Sequence, residues 1–236
     1  MNITYWSDYA CPYCYIGETY LKKAIHNLGM DNEILVDMKA FELDPGASKE
    51  YTGPTVDRFA KKYGLSLQGA RKRIDGISQM GRDAGLDFRY AETRYTNTFD
   101  AHRLTRLARQ SGDRDLTDRL SERLYRAYFS EGLELSSHDV LLRIAAEEGM
   151  DREKVQRLLD SDQFAMDVRL DEREAERCGV HCVPYFVLNG RLAIPGAMPV
   201  ESMEEAIREA LEDDHQTPKE GMTCGPDGCR IADHRA

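Results

Sequence analysis

The 236-residue chain predicts an α/β fold: one sheet is assembled from the two ends of the sequence, and a long all-helical domain is inserted between them. Three observations predict it. A β-α-β pattern closes before Pro45-Gly46, the stretch from Pro54 to about Cys178 carries only helical periodicity, and strand patterning returns near Val183 ahead of one last helix. The order β-α-β, helical block, β-β-α is better explained by an insertion than by two consecutive domains.

The first strand is residues 2–7, where apolar and polar positions alternate. A helix is expected from Pro12 to about Leu28, with Ile16, Tyr20, Leu21 and Ala24 at helical spacing and Gly29 as its stop. A second strand is expected within Glu33 to Leu43, where Ile34, Val36 and Met38 alternate with polar residues. Five or six helices should follow. Segments such as "PTVDRFAKKYG", "NTFDAHRLTRLARQSG" and "LTDRLSERLYRAYFSEG" have the amphipathic spacing, and "SSHDVLLRIAAEEG" and "DREKVQRLLDS" begin with a capping Ser or Asp and an acid in the first turn. In "VPYFVLNGRLAIPGA", Asn189-Gly190 reads as a two-residue hairpin turn, and Val200 to Leu211 as the final helix. The polar, Gly- and Pro-containing remainder reads as a mobile tail. The predicted organisation is therefore 1–50 with 179–212 as one discontinuous α/β domain, 51–178 as the helical insertion, and 213–236 as a tail carrying "CGPDGC".

Composition excludes several partners. With 42 acidic against 32 basic residues the formal charge is −10, which argues against nucleic-acid or anionic-membrane surfaces. Arg71, Lys72 and Arg73 read as a solvated helix face. No apolar run is long enough to cross a bilayer, and the start of the chain lacks the basic and apolar regions of a signal peptide. A cytoplasmic location is expected, where six cysteines point to metal binding or redox chemistry more than to a static disulfide framework.

The chemistry centres on "CPYC". Cys11 falls at the end of the first β-to-α turn, with Pro12 at the first helical position, where a missing N–H costs nothing. The helix start directs unsatisfied N–H groups at the Cys11 sulfur and favours its thiolate, so Cys11 is expected to attack. Cys14, one turn further in and more shielded, is expected to resolve. A structural staple is a weaker reading, because closing so short a loop removes only about 2 kcal/mol of unfolded-state entropy. A zinc site completed by Cys178 and Cys182 is an alternative, although the first pair opens a helix where structural zinc pairs usually sit on tight turns. In "GVHCVPYFVLNGR", Pro184 stands where a cis bond would leave the Val183 backbone unpaired and facing the thiol pair, able to take an extended peptide; an ordinary trans proline at a strand start is the other reading.

Together, "CPYCYIG", the late "GVHCVPYFVLNG" and the helical insertion between them resemble the DsbA-like branch of the thioredoxin superfamily, especially its cytosolic FrnE-like oxidoreductases, over roughly residues 1–211. The resemblance implies a thioredoxin-like fold for the discontinuous domain. It also implies thiol–disulfide exchange, or isomerisation, by Cys11 and Cys14, with Pro12, Tyr13, Val183 and cis Pro184 meeting the substrate. Asn97 and His102, in "NTFDAHRL", would lie near the groove. His181 is a candidate for tuning the thiol, and Asp8 or Glu42 for assisting deprotonation of Cys14. Cys182 is read as an inert, small buried residue before it is read as a third redox thiol, and Cys178 as a packing residue. Gly-Pro-Asp-Gly is a turn sequence that should bring Cys224 and Cys229 together as an accessory dithiol, with a disordered segment or weak metal clip as the alternatives.

No cofactor is implied beyond the redox pair, with glutathione as a possible electron partner. Expected partners are protein disulfides or dithiols, with no nucleic acid and no membrane; the chain should be a monomer or homodimer. Two other functions compete. One is a glutathione-dependent isomerase or transferase of the kappa and hydroxychromene-carboxylate isomerase type, which typically carries serine at the position of Cys11. The other is a redox-regulated zinc-binding chaperone.

Overall fold

The computed structural model describes residues 1–212, 223–225 and 228–230. The chain separates into two compact units, Met1–Phe41 with Arg169–Ala236, and Glu42–Val168.

The first unit is built on a four-stranded sheet of order β2-β1-β3-β4. Strand β1 (Asn2–Ser7) leads into helix α1 (Pro12–Asn27), and β2 (Leu35–Ala40) returns parallel to β1, with Tyr5 opposite Met38. From the other end of the sequence, β3 (Tyr185–Leu188) pairs antiparallel with β1, and β4 (Leu192–Pro195) antiparallel with β3. A parallel β-α-β half and an antiparallel β-β half thus share one sheet. Helix α9 (Val200–Glu212) packs on α1. Ile3, Tyr5, Ile16, Leu21, Phe186, Met203 and Ile207 form the core, where the Tyr5 and Phe186 rings stack with centroids 5.3 Å apart.

Two local expectations need correction. The hairpin loop has three residues, not two. Asn189 and Gly190 both have positive φ, as their types allow, and Arg191 N donates to Leu188 O at 3.0 Å, but the ladder resumes only with Leu192 opposite Leu188. In β2, an edge strand, Met38 is buried but Val36 is exposed.

The second unit holds helices α2 (Thr55–Tyr63), α3 (Leu67–Asp83), α4 (Phe99–Gln110), α5 (Arg114–Phe129), α6 (His138–Glu147) and α7 (Arg152–Leu159), with a 3₁₀ turn at Tyr90–Glu92. Side-chain caps start four of them: Ser66 accepts from Gly69 N, Asp113 from Leu116 N, Ser137 from Val140 N, and Asp151 from Glu153 N and Lys154 N. Phe59, Phe88, Tyr90, Tyr125, Tyr128 and Phe129 form an aromatic core. Phe88 stacks on Phe129 at 4.6 Å and fills the space a Cβ on Gly81 would occupy. Buried Arg103 binds Asp100 at 2.7 Å and donates to the carbonyls of Leu158, Ser161 and Gln163, which ties α4 to the end of α7.

Helix α8 (Ala165–Arg177) begins in the second unit and continues into the first, so the division falls at 168/169 rather than 178/179, and at 41/42 rather than 50/51. The reason is a set of bonds to the sheet. Trp6 Nε1 donates to Asp171 O at 3.1 Å, the buried Asp171 carboxylate accepts from Ala40 N at 2.9 Å, and Lys39 Nζ meets Glu174 Oε2 at 2.5 Å. In the tail, β5 (Thr223–Gly225) and β6 (Gly228–Arg230) pair antiparallel with Cys224 opposite Cys229. The expectation of a mobile tail over 213–236 otherwise lies outside the described residues.

Candidate functional site

The end of β1 delivers Cys11. After Ser7 the chain turns tightly: the Asp8 side chain accepts from Ala10 N at 3.1 Å, and its carbonyl accepts from Cys11 N at 3.0 Å. Cys11 is extended (φ −89°, ψ 116°) and is the N-cap of α1, with Pro12 following it into the first turn. Its side chain makes no capping bond within the helix. It turns instead to the loop before β3, where the thiol donates to Val183 O at 3.4 Å. The Val183–Pro184 peptide bond is cis, and both residues are buried.

Cys14 lies one turn along α1 and is fully buried, while Cys11 retains 4% exposure; both are free thiols. Burial pushes the Cys14 thiol well above the ordinary thiol range, and the neighbouring Cys11, by hydrogen bond and charge, pushes the same way. The Ser7 side chain and the Asp8 backbone, which hydrogen-bond Cys14, offset this only in part. Burial and the neighbouring sulfur thus both favour the protonated form of Cys14. Tyr13, between them in sequence, is 39% exposed and presents its ring to solvent. The site thus combines an outer sulfur at a helix start, an inner protonated sulfur, and a backbone carbonyl already touching the outer one.

The other predicted residues divide. His181 is exposed, and among the described residues no hydrogen bond joins it to either thiol. Cys182 is exposed as well, which overturns its reading as a small buried residue; the chain has left helix α8 and not yet entered β3, and the side chain points out of the core. Cys178 is buried at the end of α8. Asn97, His102 and Glu42 belong to the second unit. There Asn97 Nδ2 donates to Glu42 Oε1 at 2.9 Å, Asn97 Oδ1 accepts from Phe99 N at the start of α4, and His102 is buried on that helix. Among the described residues no group of three His, Cys, Asp or Glu side chains is arranged to hold a metal ion, so Cys11, Cys14, Cys178 and Cys182 do not make a ligand set. No helix is long and apolar enough to cross a membrane among the described residues.

Two residues escaped the sequence reading. Ser7 hydrogen-bonds Cys14 from the strand end, and nothing local in "NITYWS" marks that role. Gly17 lies against Pro184, and its signal was available: a glycine inside an amphipathic helix.

The family model of the DSBA-like thioredoxin domain matches residues 2–208. A probable DsbA oxidoreductase from Streptomyces coelicolor is 33% identical, with a TM-score of 0.85 over 99% of this chain and 100% of that one. A 2-hydroxychromene-2-carboxylate isomerase shares the fold at 14% identity and a TM-score of 0.68, over 93% of this chain and 100% of its own. The cytosolic disulfide reductase DsbM from Pseudomonas aeruginosa, solved with GSH, shares it at 17% identity and a TM-score of 0.60, over 92% and 100%.

Proposed function

From the premise that the chain belongs to the DSBA-like thioredoxin domain family, we propose that it is a thiol–disulfide oxidoreductase acting through Cys11 and Cys14. The observation that carries this reading is the contact of the outer thiol with the carbonyl of Val183, above a second thiol that burial keeps protonated. The deprotonated Cys11 sulfur attacks a substrate disulfide, forming a mixed disulfide and releasing one substrate thiol. Cys14 then loses its proton and attacks the Cys11 sulfur. The second substrate thiol leaves, and a Cys11–Cys14 disulfide remains. Run backwards, the same steps oxidise a substrate dithiol; run on a mispaired substrate, they isomerise it.

In this reading an extended substrate segment lies along Val183 and Pro184 and meets Pro12 and the exposed ring of Tyr13. Glutathione is the proposed electron partner and the cytoplasm the proposed compartment. Cys224 and Cys229, opposed across β5 and β6, are proposed as the accessory dithiol. Replacing both by serine should then alter turnover, and unchanged turnover and redox state would remove them from the scheme.

A 2-hydroxychromene-2-carboxylate isomerase shares the fold, but Cys11 stands where that class typically has a serine, and Cys14 follows it. Trapping distinguishes the readings. With Cys14→Ser, a disulfide-bonded peptide should accumulate as a stable adduct on Cys11, seen by intact mass; no adduct under conditions that oxidise the wild type would defeat the proposal.

A further inference from the structure

The loop that carries Val183 touches α1 twice. One contact is the Cys11 thiol on Val183 O; the other lies further along the helix, at Gly17. A Cβ built on Gly17 would stand 2.9 Å from Pro184 Cγ and 3.4 Å from both Cα and Cβ of Ala197. Neither neighbour is the free end of a flexible side chain. The first is a closed ring, the second a short residue whose own backbone is in the way. Behind them the loop is fastened, since Gly196 N donates to Pro184 O at 2.8 Å.

A glycine inside a helix is otherwise a poor choice, because it costs backbone entropy and contributes no packing. Here its missing side chain is what permits the approach. Cys11 and Gly17 ride on one rigid helix about 9 Å apart along its axis, and Val183 and Pro184 are consecutive, so moving the Pro184 ring outward moves the Val183 carbonyl with it.

We propose that Gly17 is a positioning residue: by letting the Pro184 ring nest on α1, it sets the distance between the Cys11 sulfur and the Val183 carbonyl, and through it the redox poise and substrate docking of the CPYC pair. This rests on the function proposed above. The direction follows from the hydrogen bond. Only the thiol of Cys11 has a proton to donate to Val183, so the bond stabilises the dithiol and is lost in the disulfide. A wedge at position 17 weakens the dithiol form.

The test is equilibrium titration of the full-length protein in reduced and oxidised glutathione, scored as the fraction of Cys11–Cys14 disulfide by mass of the alkylated protein. Gly17→Ala should shift the equilibrium toward the disulfide by about two- to tenfold, the range expected for one hydrogen bond. It should also raise KM for a disulfide peptide more than it lowers kcat. In a Pro184→Ala background, which removes the Cγ that the new methyl meets, Gly17→Ala should have little further effect. A folded Gly17→Ala with unchanged equilibrium and KM overturns the inference, as does an equal shift in both backgrounds. Should Gly17→Ala fail to fold, recovery of folding in the double variant supports the assignment, and failure of both variants refutes it. A wild type that titrates beside an unshifted Gly17→Ala sinks this inference alone, whereas a wild type with no dithiol–disulfide transition sinks the proposed function and the inference together.

Discussion

The Cys11 thiol donates to the carbonyl oxygen of Val183 at 3.4 Å, across 172 positions of sequence. That bond joins the two halves of the split sheet domain at one sulfur. Strand β1 pairs with β3, which brings the turn after β1 beside the loop before β3, and the N-cap geometry of Cys11 turns its side chain outward from the helix. The Cys11 sulfur and the Val183 carbonyl are thereby adjacent without any side chain between them.

The raised pKa of Cys14 has a signed consequence. A thiol whose folded value exceeds its unfolded value contributes stability that is complete below the unfolded pKa and is lost as pH rises through the folded one. The reduced protein should therefore lose stability above about pH 8.5, the ordinary thiol value. Thermal melts of the reduced wild type and of Cys14→Ala at neutral and alkaline pH check it: the variant should show a shallower alkaline decline, and parallel declines would contradict the assignment.

Asp100 gives the opposite case. Burial raises its pKa, but the hydrogen bonds from Arg103 and His138 and the charges of Lys49 and Arg103 outweigh it, and the carboxyl is held below its usual range. Its contribution is present above the unfolded carboxyl pKa and is lost as pH falls through the folded value. Asp100→Asn should cost roughly 1–3 kcal/mol at neutral pH, because buried Arg103 loses its charged partner. The difference from wild type should narrow below about pH 4, and denaturant titrations at both pH values measure it.

Alkylation should follow burial. In the folded, reduced protein Cys182 should react with iodoacetamide, while Cys14 and Cys178 stay protected until the chain is unfolded. Peptide mass mapping over time reads the order. Early labelling of Cys178 would mean that the end of α8 opens readily.

The sheet's hold on α8 can be tested at Asp171. Asp171→Ala leaves the Ala40 N–H without its acceptor and should destabilise the first unit by about 1–3 kcal/mol. Trp6, the single tryptophan, donates to the same residue's carbonyl, so its fluorescence reports the loss directly. No change in the midpoint seen by Trp6 would argue that α8 is only loosely attached.

Much of the sheet domain was legible because its signals are local. "NITYWS" alternates, Pro12 follows a cysteine at a helix start, and Asn189-Gly190 takes the positive φ values such a pair allows. What was not legible depends on distant backbone atoms. The sequence of α8 is amphipathic whichever unit it joins, and only the bonds from Asp171 to Ala40 and from Trp6 to Asp171 decide that it continues into the sheet domain. Arg191 looks like the first residue of β4, yet it completes the turn. Cysteine type alone suggested burial at 182; the irregular path between α8 and β3 exposes it. In the site, the thiol pair and Pro184 stood out by spacing, whereas the closeness of Ser7 to Cys14 and of Gly17 to Pro184 exists only once the chain is folded.

The most direct measurement is a redox titration of the intact chain against glutathione, repeated on Cys11→Ser, with exchange of a disulfide peptide followed in parallel. The account predicts a two-electron transition that links Cys11 to Cys14, and loss of both that transition and the exchange in the variant. Exchange that survives replacement of Cys11 would contradict it.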